Sequence, residues 1–152
     1  MGLFGVMEEL KIMPITSMQG IINAWPVISK GMEKVLGYNN GDDTMESVFN
    51  EIVSRQCFLW IVFMDNKYIG FFTTKINQPL NGDRYLIINS IYSKESTDKE
   101  SHIKVLNKIE EIAKKAGCKR ISMYTLRDKA FNRILAPFGW KQGYQELIKE
   151  VT

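Results

Sequence analysis

LWIVFMDNKYIGFFTTKI, running from Leu59 to Ile76, reads as a β-hairpin. Cys57 to Met64 is an almost unbroken apolar run of strand length, Asp65-Asn66-Lys67 is a tight turn, and Tyr68 to Ile76 is a second strand. The turn lacks Asn-Gly, the pair that signals a two-residue hairpin loop most strongly. That pair comes next, at Asn81-Gly82, ahead of a further strand from Arg84 to Tyr92.

Upstream the period is helical. Glu9 to Thr16 is a first strand with Leu10, Ile12 and Ile15 apolar, and Pro14 predicts a sheet edge or a bulge. From Ser17 to Leu36, Ile21, Trp25, Ile28, Met32, Val35 and Leu36 recur at helical spacing, with Ser17 as N-cap and Gly37 as stop. Pro26 is expected to kink this helix or to start a second segment after Trp25. Asn39 to Asp43 is a turn, and Asp43 or Thr44 caps a shorter helix to about Arg55. Downstream, a polar, acidic segment from Ser93 to Glu100 leads into a long amphipathic helix ending at Ala116. Its Thr97 and Glu100 have capping-box spacing, and Gly117 stops it. Lys119 to Thr125 is a strand, Asp128 to Phe138 a short helix, and Tyr144 to Val151 a last strand. The order β-α-α-β-β-β-α-β-α-β predicts one α/β (α+β) domain over residues 1–152, a mixed central sheet with helices on both faces.

Composition excludes several classes. The 152 residues are 45% hydrophobic and carry a formal net charge of +3, enough apolar material for a core without staples. The cations Lys114, Lys115, Lys119 and Arg120 cluster at a helix end, where they meet the negative end of the dipole, so nucleic acid is not expected as a partner. Cys57 and Cys118 form no CxxC pair, and one histidine, His102, leaves neither a zinc site nor a Ser-His-Asp triad to build. No apolar stretch has the length of a membrane span, Met1 to Val6 is too short for a signal sequence, and a cytoplasmic location is expected. The apolar residues Leu3, Phe4, Val6 and Met7 suit docking on the domain itself, on a protein partner or on a second copy of the chain.

The hairpin, the strand LIINSIYS (Leu86 to Ser93), the helix end AKKAGCKRISMYT and the segment RDKAFNRILAPFGWKQGY together resemble the GCN5-related N-acetyltransferase superfamily. Arg127, Phe131, Leu135, Gly139 and Trp140 look like the terminal Gly-Phe element of that fold. An aromatic residue following an arginine (Phe131 after Arg127) and Gly117-Cys118 at the helix end are similar to small divergent members encoded by tailed bacteriophages, which would place the chain in the host cytoplasm or the virion. The resemblance implies acetyl-CoA as cofactor, its pantetheine arm held where the strands Leu86 to Tyr92 and Lys119 to Thr125 splay apart. Its diphosphate would meet the following loop and helix N-terminus. The cofactor-binding residues so implied are Asn89, Ser90, Ile91, Tyr92, Ser93, Ser96, Thr97 and Ser101.

The residues depart from that pattern in two places. The loop Ser93 to Ser101 contains no glycine and carries Glu95, Asp98 and Glu100, which suit a helix N-terminus and repel a phosphate. Leu135 stands where the family commonly has a proton-donating tyrosine. Tyr92 and Tyr124 are candidate substitutes, though a half-buried aromatic on a sheet needs no function. Glu95, His102 or a water held by Asn89 or Ser90 are candidate bases; for His102 a solvated histidine in a first helical turn is the more ordinary reading. Thr73, Thr74 and Lys75 lie on the strand expected to face an acceptor groove. Two readings follow: acetyl transfer from acetyl-CoA to an amine, with a degenerate cofactor loop, or a non-catalytic, virion-associated or protein–protein interaction module on the same fold.

Overall fold

The computed structural model describes residues 9–37, 43–80, 82–94, 97–123, 133, 135–141, 143, 149 and 151. Among these residues, five strands form one sheet in the order β1 (Leu10–Ile15), β2 (Phe58–Met64), β3 (Lys67–Asn77), β4 (Arg84–Ser93) and β5 (Cys118–Met123). The first four are antiparallel, and β4 and β5 are parallel. Pro14 lies on the edge strand β1, opposite Trp60, where a missing N–H disturbs no second neighbour. Asp65 and Asn66 both adopt left-handed φ, 52° and 66°, so the hairpin closes on a two-residue turn between Met64 and Lys67 without Asn-Gly.

Two helices cover one face and one covers the other. The first core layer unites Ile21, Ile28 and Met32 of α1 (Met18–Leu36) and Val48 and Ile52 of α2 (Met45–Val53) with Cys57, Leu59, Ile61 and Phe71. The second unites Val105, Leu106, Ile109 and Ala113 of α3 (Lys99–Lys115) with Val62, Phe72, Leu86 and Ile88. Ser17 caps α1 through its side chain, as expected. The expected break at Pro26 does not occur: α1 is one continuous helix. The carbonyl that Pro26 leaves unbonded is that of Ile22, half exposed on the outer side of α1, where water can reach it. Gly37 ends the helix with a right-handed φ of −65°, so its stop does not use glycine's left-handed freedom. Thr44, not Asp43, caps α2, and Ser47 completes the reciprocal pair.

The long helix starts differently from expectation. Asp98 is its N-cap, accepting from the Ser101 N–H at 2.7 Å, so the Thr97–Glu100 capping box is replaced by an Asp98–Ser101 cap. Gly117 ends it with φ +75°. Ala136–Phe138 form a short 3-10 turn, and Leu135 beside it is buried in the second layer. Most of the strand expected over Tyr144 to Val151, most of the helix from Asp128, and Leu3 to Met7 lie outside the described residues.

Candidate active site

β4 is the strand on which the site turns, and its side-chain alternation is interrupted. Opposite it on β3, Thr73 pairs with Ser90 but Thr74 pairs with Ile88, so Asn89 is an extra residue, a β-bulge. Leu86 and Ile88 therefore pack on α3, whereas Ser90 and Tyr92, which an unbroken period of two would send to the same side, face α1 and α2. Ser90 is buried and hydrogen-bonds Thr73, itself fully buried. The Thr73 hydroxyl also bonds Cys57; burial pushes the Cys57 thiol pKa up, with Thr73 pulling the other way.

The bulge lies where the described β4–β5 pairing ends. The β4–β5 pairing runs from Arg84 opposite Cys118 to Ile88 opposite Met123, the last described pair. β4 continues for five residues, Asn89 to Ser93, hydrogen-bonded to β3 on one side. Lys94 carries the ladder one step further, donating to the Ile69 carbonyl at 2.9 Å. On the β5 side, the N–H and C=O groups of this segment have no described strand partner. Gly70 supports the arrangement, because a Cβ there would lie 2.1 Å from the Tyr92 carbonyl oxygen. A narrow cleft of about 10 Å³, room for about one water, lies between Ile69, Gly70, Ile91, Ser93, Thr97 and Val105.

The expected site residues divide accordingly. Asn89, Ser90, Ile91, Tyr92 and Ser93 share the segment beyond the last β4–β5 pair, with Ile91 turned to the α3 layer and Ser93 exposed. Thr97 lines the cleft, and its hydroxyl is buried with no partner among the described residues. Ser101 is buried at the start of α3 and engaged in the Asp98 cap. Hydrogen bonds from Ser101 hold the Asp98 carboxyl below the usual carboxylate range, so it is an anion at the helix entrance. Tyr92 is less free than a proton donor in a cleft: its ring lies flat on α1, where a Cβ on Gly31 would come within 2.6 Å, and it stacks on Phe71 at 5.5 Å. Glu95, Ser96 and Tyr124 lie outside the described residues.

Other expectations are corrected by packing. Thr73 and Thr74 line no acceptor groove: Thr73 bonds Ser90, and Thr74 accepts from the Trp60 indole N–H at 3.0 Å. Lys75 pairs with Glu51 at 2.8 Å, which pushes its pKa up. His102 is exposed on α3; partial desolvation pushes its pKa down and Asp98 pulls it back up. Asp98 and Gly70 were missed as site residues. A lone glycine inside a strand is the signal for close backbone approach, and an acid just before an amphipathic run is the signal for a cap. Among the described residues no group of three His, Cys, Asp or Glu could hold a metal, and no helix is long and apolar enough to cross a membrane.

No protein-family model and no curated protein matches the chain. Solved structures do. A probable acetyltransferase superposes with a TM-score of 0.69 at 15% identity, covering 93% of this chain and 98% of that one. The ribosomal-protein-alanine N-acetyltransferase from Brucella melitensis gives 0.68 at 10%, covering 93% and 99%. The aminoglycoside N-acetyltransferase AAC(6')-Iy, in complex with CoA, gives 0.65 at 13%, covering 97% of both chains. At these identities the likeness is one of architecture, and the chain has the fold of the GCN5-related N-acetyltransferases.

Proposed function

We propose that the chain is an N-acetyltransferase that moves an acetyl group from acetyl-CoA to an amine. The observation that carries this reading is the bulge at Asn89, beside the last described β4–β5 pair, in the fold that AAC(6')-Iy uses while bound to CoA. Acetyl-CoA supplies an activated thioester. The backbone edge of Asn89 to Ser93, without a strand partner among the described residues on the β5 side, is suited to hydrogen-bond the amides of a pantetheine arm, and an N–H of that edge to polarise the thioester carbonyl as the amine attacks. Ser93, Ser96, Thr97 and the first N–H groups of α3 would meet the diphosphate, with Asp98 as the opposing charge. Tyr124, next after the last paired residue Met123, is the donor proposed for the departing thiolate; Leu135 is buried and has no proton to give. Glu95 is the proposed base.

The Asp98 carboxylate favours a second reading, a non-catalytic interaction module whose apolar segment Leu3 to Met7 recruits a protein partner or a second copy. Kinship with tailed-phage proteins, and with it a place in the host cytoplasm or the virion, rests on Arg127, Phe131 and Gly117-Cys118. Thermal unfolding with and without millimolar acetyl-CoA separates the readings. At a hundred-fold excess over Kd, binding adds about 2.7 kcal/mol, roughly 5–10 °C for a chain of this size. Ser93→Glu should reduce that shift while leaving the unliganded melting temperature unchanged. A melting curve indifferent to acetyl-CoA sinks the enzyme reading.

A further inference from the structure

A second cavity lies toward the other end of the sheet, where β1 ends and β2 begins, away from the cleft at Gly70 and Ser93. Its volume is about 130 Å³, comparable with the roughly 150 Å³ of an apolar cavity that takes a benzene-sized molecule. Its walls are mainly apolar: Ile15 and Phe58 from the strands, Ile21 from α1, and Ile52 and Val53 from α2. Among the described residues one lining residue carries charge, Arg55, and no carboxylate lines the space.

Arg55 is held in an uncommon way. The Gln56 N–H bonds the Glu51 carbonyl and the Arg55 N–H bonds the Ile52 carbonyl, a pattern that closes α2 and puts Arg55 in the left-handed position usually given to glycine. Its φ is +64°. A cation near a helix C-terminus is ordinary, but the left-handed backbone strains any side chain with a Cβ. That backbone sets an exposed guanidinium at the cavity rim, where its described hydrogen bond is a long one, 3.5 Å to the Thr16 carbonyl. Thr16 and Met18 also line the space, so the start of α1, whose first turn holds no acid, faces it too.

We infer that this cavity binds a small amphiphilic monocarboxylate, its apolar tail among Ile15, Ile21, Ile52, Val53 and Phe58 and its carboxylate on Arg55. An apolar chamber with a guanidinium at its entrance selects both halves of such a molecule, since the tail gains by desolvation and the carboxylate by a charge-assisted hydrogen bond. The inference does not depend on acetyl transfer, because the cavity shares no lining residue with the cleft on β4.

The test titrates the full chain with octanoate, octan-1-ol and acetate, following affinity by calorimetry and location by methyl resonances of Ile15, Ile21 and Ile52. Octanoate should bind at least ten-fold more tightly than either comparator, with shifts centred on those three methyl groups. Arg55→Gly should abolish the preference of octanoate over octan-1-ol. By relieving the left-handed strain it should also raise the unliganded melting temperature by about 2–4 °C, which shows that lost binding is not lost folding. Equal binding of octanoate and octan-1-ol by the wild-type chain, an intact preference in Arg55→Gly, shifts centred on Ile91 instead, or no binding at all would each overturn the assignment.

Discussion

Replacing Gly70 by alanine tests whether β3 and β4 are held together as closely as the site requires. The added Cβ would lie 2.1 Å from the Tyr92 carbonyl oxygen, 3.1 Å from its carbon and 3.2 Å from the Ser93 Cα. Carbon–oxygen contacts between strands settle near 3.3–3.6 Å, so the two backbones must part by about an ångström at this step. The obstacle is main chain and cannot rotate away. Gly70 pairs with Ser93, and opening that step weakens ladder bonds worth about 1 kcal/mol each and exposes buried polar groups at about 1–3 kcal/mol. Alanine returns about 0.4–1 kcal/mol by restricting the unfolded chain. The net loss is about 2–4 kcal/mol, or roughly 5–15 °C. Guanidinium unfolding with an unchanged slope should report it as a lower midpoint. Gly82→Ala is the control, since its cost comes only from a φ of +85° with nothing within 4 Å of the new Cβ. If Gly70→Ala proves no more harmful than Gly82→Ala, the close approach of the strands is not what holds this end of the sheet.

Three further outcomes are expected. The Tyr68 hydroxyl is buried without a partner among the described residues and its pKa is pushed up to about 12, chiefly by burial. Since the unfolded chain ionises near 10, stability present below pH 10 is lost as the pH rises through 12, by about 1 kcal/mol once solvent screening of a half-exposed ring is counted; Tyr68→Phe should remove that loss, read by denaturant midpoints at pH 9 and above 11, and should not weaken the fold at neutral pH. Asp98→Asn keeps a good N-cap while removing a negative charge from the entrance of α3, so acetyl-CoA should bind more tightly by calorimetry, with the gain fading in high salt. Thr74→Val leaves the Trp60 indole N–H, now bonded at 3.0 Å, without its acceptor, and should cost about 1–3 kcal/mol in chemical denaturation.

What the chain discloses before folding is its periodicity, and periodicity placed the described elements. The apolar run before Asp65 and the turn after it specified the hairpin, and Ile103, Leu106, Ile109 and Ile112 specified the long helix. The site was less legible because it arises from breaks in period. LIINSIYS alternates without interruption as text, yet Asn89 bulges once Thr73 and Thr74 pair across from it. Capping was ambiguous because Thr97 and Asp98 are both competent caps by residue type, and the folded chain uses Asp98. Pro26 misled because the cost of a helical proline depends on whether the orphaned carbonyl faces water, which is a property of the packed molecule.

Asn89 also governs the parity of its strand. Each residue after it points to the side opposite the one that simple counting assigns, so the hydroxyl of Ser90 and the ring of Tyr92 belong to one layer only while the extra residue is present. Exchanging the Asn89 side chain leaves that count intact. Excising the residue would turn Ser90 into the α3 layer, bring Ile91 out against α1, and separate Thr73 from the group it now bonds. The position should therefore tolerate many amino acids and no deletion.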